Sequence, residues 1–161
     1  MIGVNAQIET TGGGGEGVGF AVPVDTVKRS LAQLREQGHV DYAYLGVSTQ
    51  ELYPQLADRL GFDAENGALV ASVEEGGPAD DAGIEAGTEK IEFQGQEDVP
   101  VGGDAIVAID GRPVHSSAEL SSAIGLRDPQ EEVELEIVRG DEHRTVEVTL
   151  GERPEKALPE P

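Results

Sequence analysis

Ala43-Tyr44-Leu45-Gly46-Val47, taken with Asp104-Ala105-Ile106-Val107-Ala108-Ile109-Asp110-Gly111, decides how this chain reads. The second stretch is an apolar strand, Ala105 to Ile109, stopped by an Asp-Gly turn. The first places a glycine between aliphatic residues at the head of a strand running to Leu52. Gly46 carries no Cβ to block an approaching backbone. Successive N–H groups in so tight a loop converge on one point and suit an anion. On these residues alone, an ordinary strand start with Gly46 at a bulge is the better reading.

Around these stretches lie 161 residues, 37% hydrophobic and 4% aromatic, with no cysteine and no tryptophan. The core must therefore be built mainly of Val, Ile, Leu and Ala. Disulfides, thiolate metal sites and a cysteine nucleophile are excluded. No apolar run approaches the ~20 residues that cross a bilayer, and no basic-then-apolar signal opens the chain. The net charge is −21, and Lys28, Lys90 and Lys156 are the only lysines. Phosphate backbones need basic patches, so nucleic acid is not an expected partner. Dispersed carboxylates over a regularly patterned chain read as adaptation to high salt rather than as disorder.

Ile2–Ile8 alternates as a strand, Thr10–Gly17 is a glycine-rich loop, and Val18–Val22 is a second strand. A helix follows Pro23, with Asp25 as N-cap, Val27, Leu31 and Leu34 at i, i+4, i+7, and Gly38 as its stop. So short a segment buries little by itself and needs a partner: more protein upstream, or a second copy of the chain. Beyond Tyr44 come a strand over Leu45–Leu52, a short helix over Gln55–Leu60 closed by Gly61, and a buried strand over Gly67–Val73. Pro78 opens a helical turn that Gly83 ends. Ser116 or Ser117 caps a helix to Leu126 with Leu120, Ala123 and Ile124 on its apolar side. Val133-Leu135-Ile137 and Val146-Val148-Leu150 flank Gly140-Asp141 as a hairpin. A frayed tail is expected over 152–161.

Three motifs occur in order: Tyr44-Leu45-Gly46-Val47; Gly76-Gly77-Pro78-Ala79 leading to Ala82-Gly83-Ile84; and the Asp104–Gly111 run. Together with the Ser117–Leu126 helix they resemble the PDZ domain of HtrA/Deg-type serine proteases, across about Tyr42 to Leu150. Gly17-Val18-Gly19-Phe20-Ala21-Val22-Pro23 resembles the last strand of those proteases' catalytic domain, and Ile2–Ile8 the strand after their nucleophile. The resemblance implies an α+β, mostly β fold: a PDZ-like, partly open barrel or sandwich with two helices, preceded by a strand–strand–helix remnant of a trypsin-like domain. It implies a remnant with connecting helix over 1–41, a PDZ domain over 42–151 and a tail after it. The family pattern runs from Gly87 straight to Asp104, whereas here Thr88–Gly103 intervene. Lys90-Ile91-Glu92-Phe93 and Gly95 make that insertion a hairpin, able to cover one end of a groove.

The implied function is capture of peptide C-termini or exposed β-strands, which recruits substrates to a protease or regulates it. Tyr44, Leu45, Gly46 and Val47 would receive the carboxylate, and Val47, Ser48 and Thr49 would offer an open edge for β-augmentation. The helix from Ser117 would form the far wall, with Leu120 or Ala123 lining the terminal pocket beside Leu45 and Val47. Implied partners are substrate peptides, an upstream protease domain and a second copy in a homo-oligomer; the implied location is extracytoplasmic or membrane-associated. A stand-alone adaptor or oligomerisation module is the alternative, as is endopeptidase activity belonging to a longer parent.

Catalysis by these residues has little to rest on. The family's Gly-x-Ser-Gly-Gly string does not occur, and Ser116-Ser117 and Ser121-Ser122 lie beside or within a helix, without a glycine-rich elbow. His39, His115 and His143 read as surface residues whose spacing makes no metal pair. No phosphate loop and no calcium loop occurs, so no cofactor is expected. The pairs Glu74-Glu75 and Glu131-Glu132 read as solvated acids. By resemblance, the Thr10–Gly17 loop and Val18–Phe20 would border a protease specificity pocket and do no chemistry.

The charge makes one prediction. Screening lengthens from about 3 Å at 1 M salt to about 10 Å at 0.1 M, so carboxylates that ignore one another in brine begin to repel. Thermal melts should show Tm falling from molar salt to tens of millimolar; an unchanged Tm would contradict the high-salt reading.

Overall fold

The computed structural model describes residues 3–10 and 17–154, in two compact units that divide between Asp41 and Tyr42. The expected glycine-rich loop falls largely on 11–16 and the end of the expected tail on 155–161, outside the described residues.

The first unit is an antiparallel pair, β1 (Gly3–Thr10) and β2 (Gly17–Pro23), followed by α1 (Val24–Glu36). The helix begins immediately after Pro23, so Asp25 is inside it and not its N-cap. Proline ends the strand and at once supplies a φ suited to a helical start, which brings the boundary two residues forward. At the other end Gly38 adopts φ 82°, and the N–H groups of Gln37 and Gly38 donate to the carbonyls of Gln33 and Leu34. That left-handed residue is the stop the sequence announces. Val27 is half-buried, while Leu31 and Leu34 of the same stripe are exposed.

The second unit is built on an open sheet. Its strands are β4 (Val47–Leu52), β5 (Gly67–Val73), β8 (Ala105–Ile109), β10 (Glu132–Arg139) and β11 (Glu142–Thr149), in the order β11-β10-β8-β5-β4. The short β9 (Arg112–Pro113) folds back on β8 through Asp110 and Gly111, both at positive φ, as a two-residue hairpin requires. Three helices connect the strands: α2 (Pro54–Leu60), α3 (Pro78–Asp81) and α4 (Ser117–Gly125). Among the described residues the fold is mostly β, with four helices and no closed barrel.

Alternation along the strands divides the apolar residues into two cores. Ala68, Val70, Ile106, Leu135, Ile137 and Val148 pack with Leu120 and Ile124 of α4. Leu69, Ala105 and Val138, their neighbours in sequence, pack with Leu52 and with Leu56 and Ala57 of α2. A strand buried on both faces reads as a continuous apolar run, which is why Ala105–Ile109 and Gly67–Val70 look as they do.

Two further expectations need correction. The strand expected over Leu45–Leu52 is broken: β3 (Ala43–Tyr44) ends before Leu45, and β4 starts only at Val47. Gly46 turns the chain at φ 81°, outside the strand region. Glu152 and Arg153, expected in a frayed tail, are tied down instead: β12 (Gly151–Glu152) pairs with β3, and Arg153 N–H donates to the Tyr42 carbonyl. Chain ends tied into a sheet stay ordered.

The insertion is a hairpin, β6 (Glu89–Phe93) and β7 (Gln96–Val101), turned by Gln94 and Gly95 at positive φ. Its Val99, Ile91 and Phe93 join the second core, and the rings of Phe93 and Tyr53 lie 6.5 Å apart. The hairpin thus packs on the sheet face away from α4. A Cβ on Gly103 would stand 2.4 Å from the Gly87 nitrogen, so the hairpin leaves and rejoins the fold at one point.

That point is held by Asp104, which is fully buried. Its carboxylate accepts from Arg139 Nε at 2.7 Å and Nη2 at 2.9 Å, and from the Glu85 N–H at 2.8 Å. Its own N–H donates to the Glu85 carbonyl, and its carbonyl accepts from Val70. Arg139 also reaches Glu85 Oε1 and the Gly83 carbonyl. Hydrogen bonding to Asp104 raises the Arg139 pKa above its already high ordinary value, with burial opposing.

Removing one partner of a buried pair leaves the other uncompensated. Asp104→Ala should therefore lower the unfolding free energy by about 3 kcal/mol, read from the urea midpoint. Asp104→Asn, which retains an acceptor for Glu85, should cost less. A loss below about 1 kcal/mol for the alanine variant would mean that this tie does not hold the sheet to its connector.

Candidate functional site

Leu45 and Gly46 form a short loop between β3 and β4, held by its carbonyls. The Leu45 carbonyl accepts from Ala79 N–H at 3.0 Å, and the Gly46 carbonyl from Glu74 N–H at 2.8 Å. Among the described residues no carbonyl receives the N–H of Leu45 or of Gly46. With its acceptors engaged and its donors free, the loop presents N–H dipoles, the polarity that suits a carboxylate.

The Gly76-Gly77-Pro78-Ala79 motif holds this loop in position. Gly77 N–H donates to the Glu74 carbonyl and Gly76 N–H to Asp80 Oδ2, which closes the turn before α3. A Cβ on Gly46 would lie 3.4 Å from Pro78 Cδ, and one on Gly151 would lie 3.0 Å from Pro78 Cγ. Pro78 therefore sits between the loop and β12. The Cβ-sized space at Gly46 faces the Gly77–Pro78 turn, not an incoming terminus, so glycine is needed there for its left-handed backbone.

From Val47 the chain runs along the sheet edge, since β4 is the terminal strand in the order. Helix α4 packs against β3, β4 and β5. Its start is fixed by Ser116, whose Oγ accepts from the Glu119 N–H, while Glu119 Oε2 accepts from the backbone and ring nitrogens of His115. This is a capping box displaced by one residue. The His115 backbone hydrogen bond, then its ring hydrogen bond, holds the Glu119 carboxyl below its ordinary pKa.

Of the expected residues, Leu45 and Leu120 belong to the first core, and Val47 and Ala123 pack against it. Leu45 and Leu120 are buried, Val47 and Ala123 half-buried. Ser48 is exposed and Thr49 half-buried on β4, with a register slip between them against β5. Tyr44 belongs to β3, opposite Gly151, and leads into the loop. Ala123 also lines an open cleft of about 810 Å³ on the outer side of α4, where Arg127 pairs with Asp110 and Glu131. Ile124, buried four residues beyond Leu120, was not among the expected wall residues; its i+4 spacing was the available signal. The part of Pro78 and Ala79 in holding the loop has no signature beyond their motif.

His39, His115 and His143 are all exposed and each faces an acid: Asp41, Glu119 and Asp63. Among the described residues no group of three or more His, Asp or Glu is placed to hold a metal. No described helix is long and apolar enough to cross a membrane.

An N–H-presenting loop at the head of an open edge strand, faced by a helix, is the arrangement of a PDZ domain. The family model described as "PDZ domain" matches residues 43–150, and the chain belongs to that family. It is 38% identical over 155 residues to a protein of Halomonas elongata named "Probable periplasmic serine endoprotease DegP-like", covering 96% of this chain and 29% of that protein. A protein of the same name from Ectopseudomonas mendocina is 35% identical over 156 residues, covering 97% and 30% respectively. The chain thus spans less than a third of the length of these relatives. Among solved structures, "HtrA-type protease AlgW with decapeptide" matches with TM-score 0.69 and 26% identity over 97% of this chain and 43% of that one. "HtrA-type protease AlgW with tripeptide" matches with TM-score 0.68 and 26% identity, over 97% and 46%. The HtrA-type resemblance carried by the three motifs is borne out by all of these.

A side chain at a left-handed position costs roughly 1–2 kcal/mol. Gly46→Ala should accordingly lower stability by about 1 kcal/mol in chemical denaturation, without the collapse that a clash would cause. Unchanged stability would contradict the backbone reason given for this glycine.

Proposed function

We propose that the Tyr42–Arg153 unit binds extended peptides by their C-termini. The terminal carboxylate is received by the N–H groups of Leu45, Gly46 and Val47, and the peptide lies along the open edge of β4 at Val47, Ser48 and Thr49. Its last side chain enters the apolar space between Leu45, Val47 and Leu120, with Ala123 and Tyr44 at the margins. The observation that carries this reading is the polarity of the loop: its carbonyls are engaged by Ala79 and Glu74, and the Leu45 and Gly46 donors are free among the described residues. The peptides in the names of the similar structures support it.

The unit serves, on this reading, as the recognition module of a longer HtrA-type serine protease. It captures C-termini or exposed strands of substrate proteins and delivers or regulates them, as in protein quality control. Residues 1–41 are then the end of a protease domain and its connecting helix, and exposed Leu31 and Leu34 await either the rest of that domain or a second copy. The names of the relatives support a place outside the cytoplasm. The dispersed acids fit a high-salt setting.

The test compares a peptide ending in a free carboxylate after an apolar residue with its C-terminally amidated twin, by fluorescence anisotropy. Hydrogen bonds to a charged group contribute roughly 1.5–3 kcal/mol, so amidation should weaken binding about tenfold or more. Molar salt is the proper condition, because the protein's net charge of −21 repels any carboxylate. Equal affinity for both peptides would contradict carboxylate capture.

A further inference from the structure

The inserted hairpin packs on the second core and also reaches the edge strand β4, through Gln50. Along β4, Val47 packs towards α4, whereas Leu52 is buried with Val99 of the hairpin. Between them Gln50 turns to the hairpin side, its Nε2 3.5 Å from the Asp98 carbonyl. Opposed residues on antiparallel strands project to the same face. A peptide whose last residue lies opposite Val47 brings its third-from-last residue opposite Thr49 and its fourth-from-last opposite Gln50. The latter side chain projects away from α4, on the face where Gln50 meets the Asp98 carbonyl.

The chemistry waiting there is anionic. Asp98 is exposed at φ 59°, next to exposed Glu97. The nearby cation is Lys90, whose ammonium stands 3.4 Å from Asp98 Oδ1, with both side chains largely in solvent. So exposed a pair is weak, and Lys90 is free to swing aside for a competing cation.

We propose that the β6–β7 hairpin adds a specificity subsite to the groove, at which Asp98 favours Lys or Arg as the fourth residue from the C-terminus of a bound peptide. This rests on the groove reading above. It gives the insertion a role in choosing ligands besides covering core, and it makes the choice independent of the terminal pocket.

Three dye-labelled decapeptides with the same apolar C-terminus test it on the whole chain at one fixed salt concentration. One has Lys fourth from the end, one has Glu there, and the third has Lys exchanged with its neighbour at the third position. Lys should bind about fivefold more tightly than Glu, and moving it one place should cost about threefold, the scale of exposed charge pairs. Asp98→Asn keeps a residue tolerant of positive φ and should reduce both ratios by about half. Equal affinities across the peptides would overturn the subsite and leave the groove standing. A preference for Lys that ignores both its position and Asp98→Asn would also overturn it, since that is the pull of the protein's overall charge. Binding of no peptide would overturn the groove reading and this inference with it.

Discussion

Asp104 and Arg139 make the contact on which the unit's other arrangements depend. A buried carboxylate is tolerated only when its acceptors are filled, and Asp104 fills them with a forked guanidinium and the Glu85 N–H. Three segments meet there: the start of β8, the end of β10, and the connector from α3 into the hairpin. Arg139 is partly exposed, which limits its desolvation cost while its fork fixes the geometry. With that corner fixed, β8 is set between β5 and β10, and its alternating residues supply both cores.

A second set of contacts carries this order to the loop proposed to receive a peptide terminus. The connector begins at α3, and α3 begins at Pro78, which touches Gly46 on one side and Gly151 on the other. The Ala79 and Glu74 N–H groups then fasten the Leu45 and Gly46 carbonyls. Peptide units are rigid, so fixing a carbonyl aims the adjoining N–H the opposite way. Holding the Leu45 and Gly46 carbonyls therefore fixes the opposed directions of the Gly46 and Val47 N–H groups, which share those peptide units. The three sequence motifs are in this sense one device: the second orients the first, and the third anchors the connector that leaves the second.

Much of this was legible in the sequence because it is local. Alternation in Val133–Ile137 and Val146–Leu150, the Asp110-Gly111 turn, the Gly61 and Gly38 helix stops and the Lys90–Phe93 hairpin each rest on neighbouring residues. Features that depend on distant partners were hidden. The partner of Asp104 is 35 positions away at Arg139. The break at Leu45-Gly46 appears only once Pro78 is packed beside it, and Glu152 looked frayed because its partner, Ala43, lies at the other end of the unit. Gly46 itself stands out in the sequence for a reason the geometry changes: the glycine serves the backbone angle, not clearance for a ligand. Of the residues expected in the site, Leu45, Val47, Leu120 and Ala123 belong to one apolar core, while the supporting roles of Pro78 and Ala79 emerge only from contacts.

The most direct test of carboxylate capture is an amide-resolved NMR titration of the chain with a carboxylate-terminated peptide. The N–H signals of Leu45, Gly46 and Val47 should move furthest, downfield as they donate to an anion, with smaller shifts along β4 and at Leu120. Shifts centred instead on the outer cleft of α4, around Leu126 and Arg127, with the Leu45–Val47 amides unmoved, would contradict it.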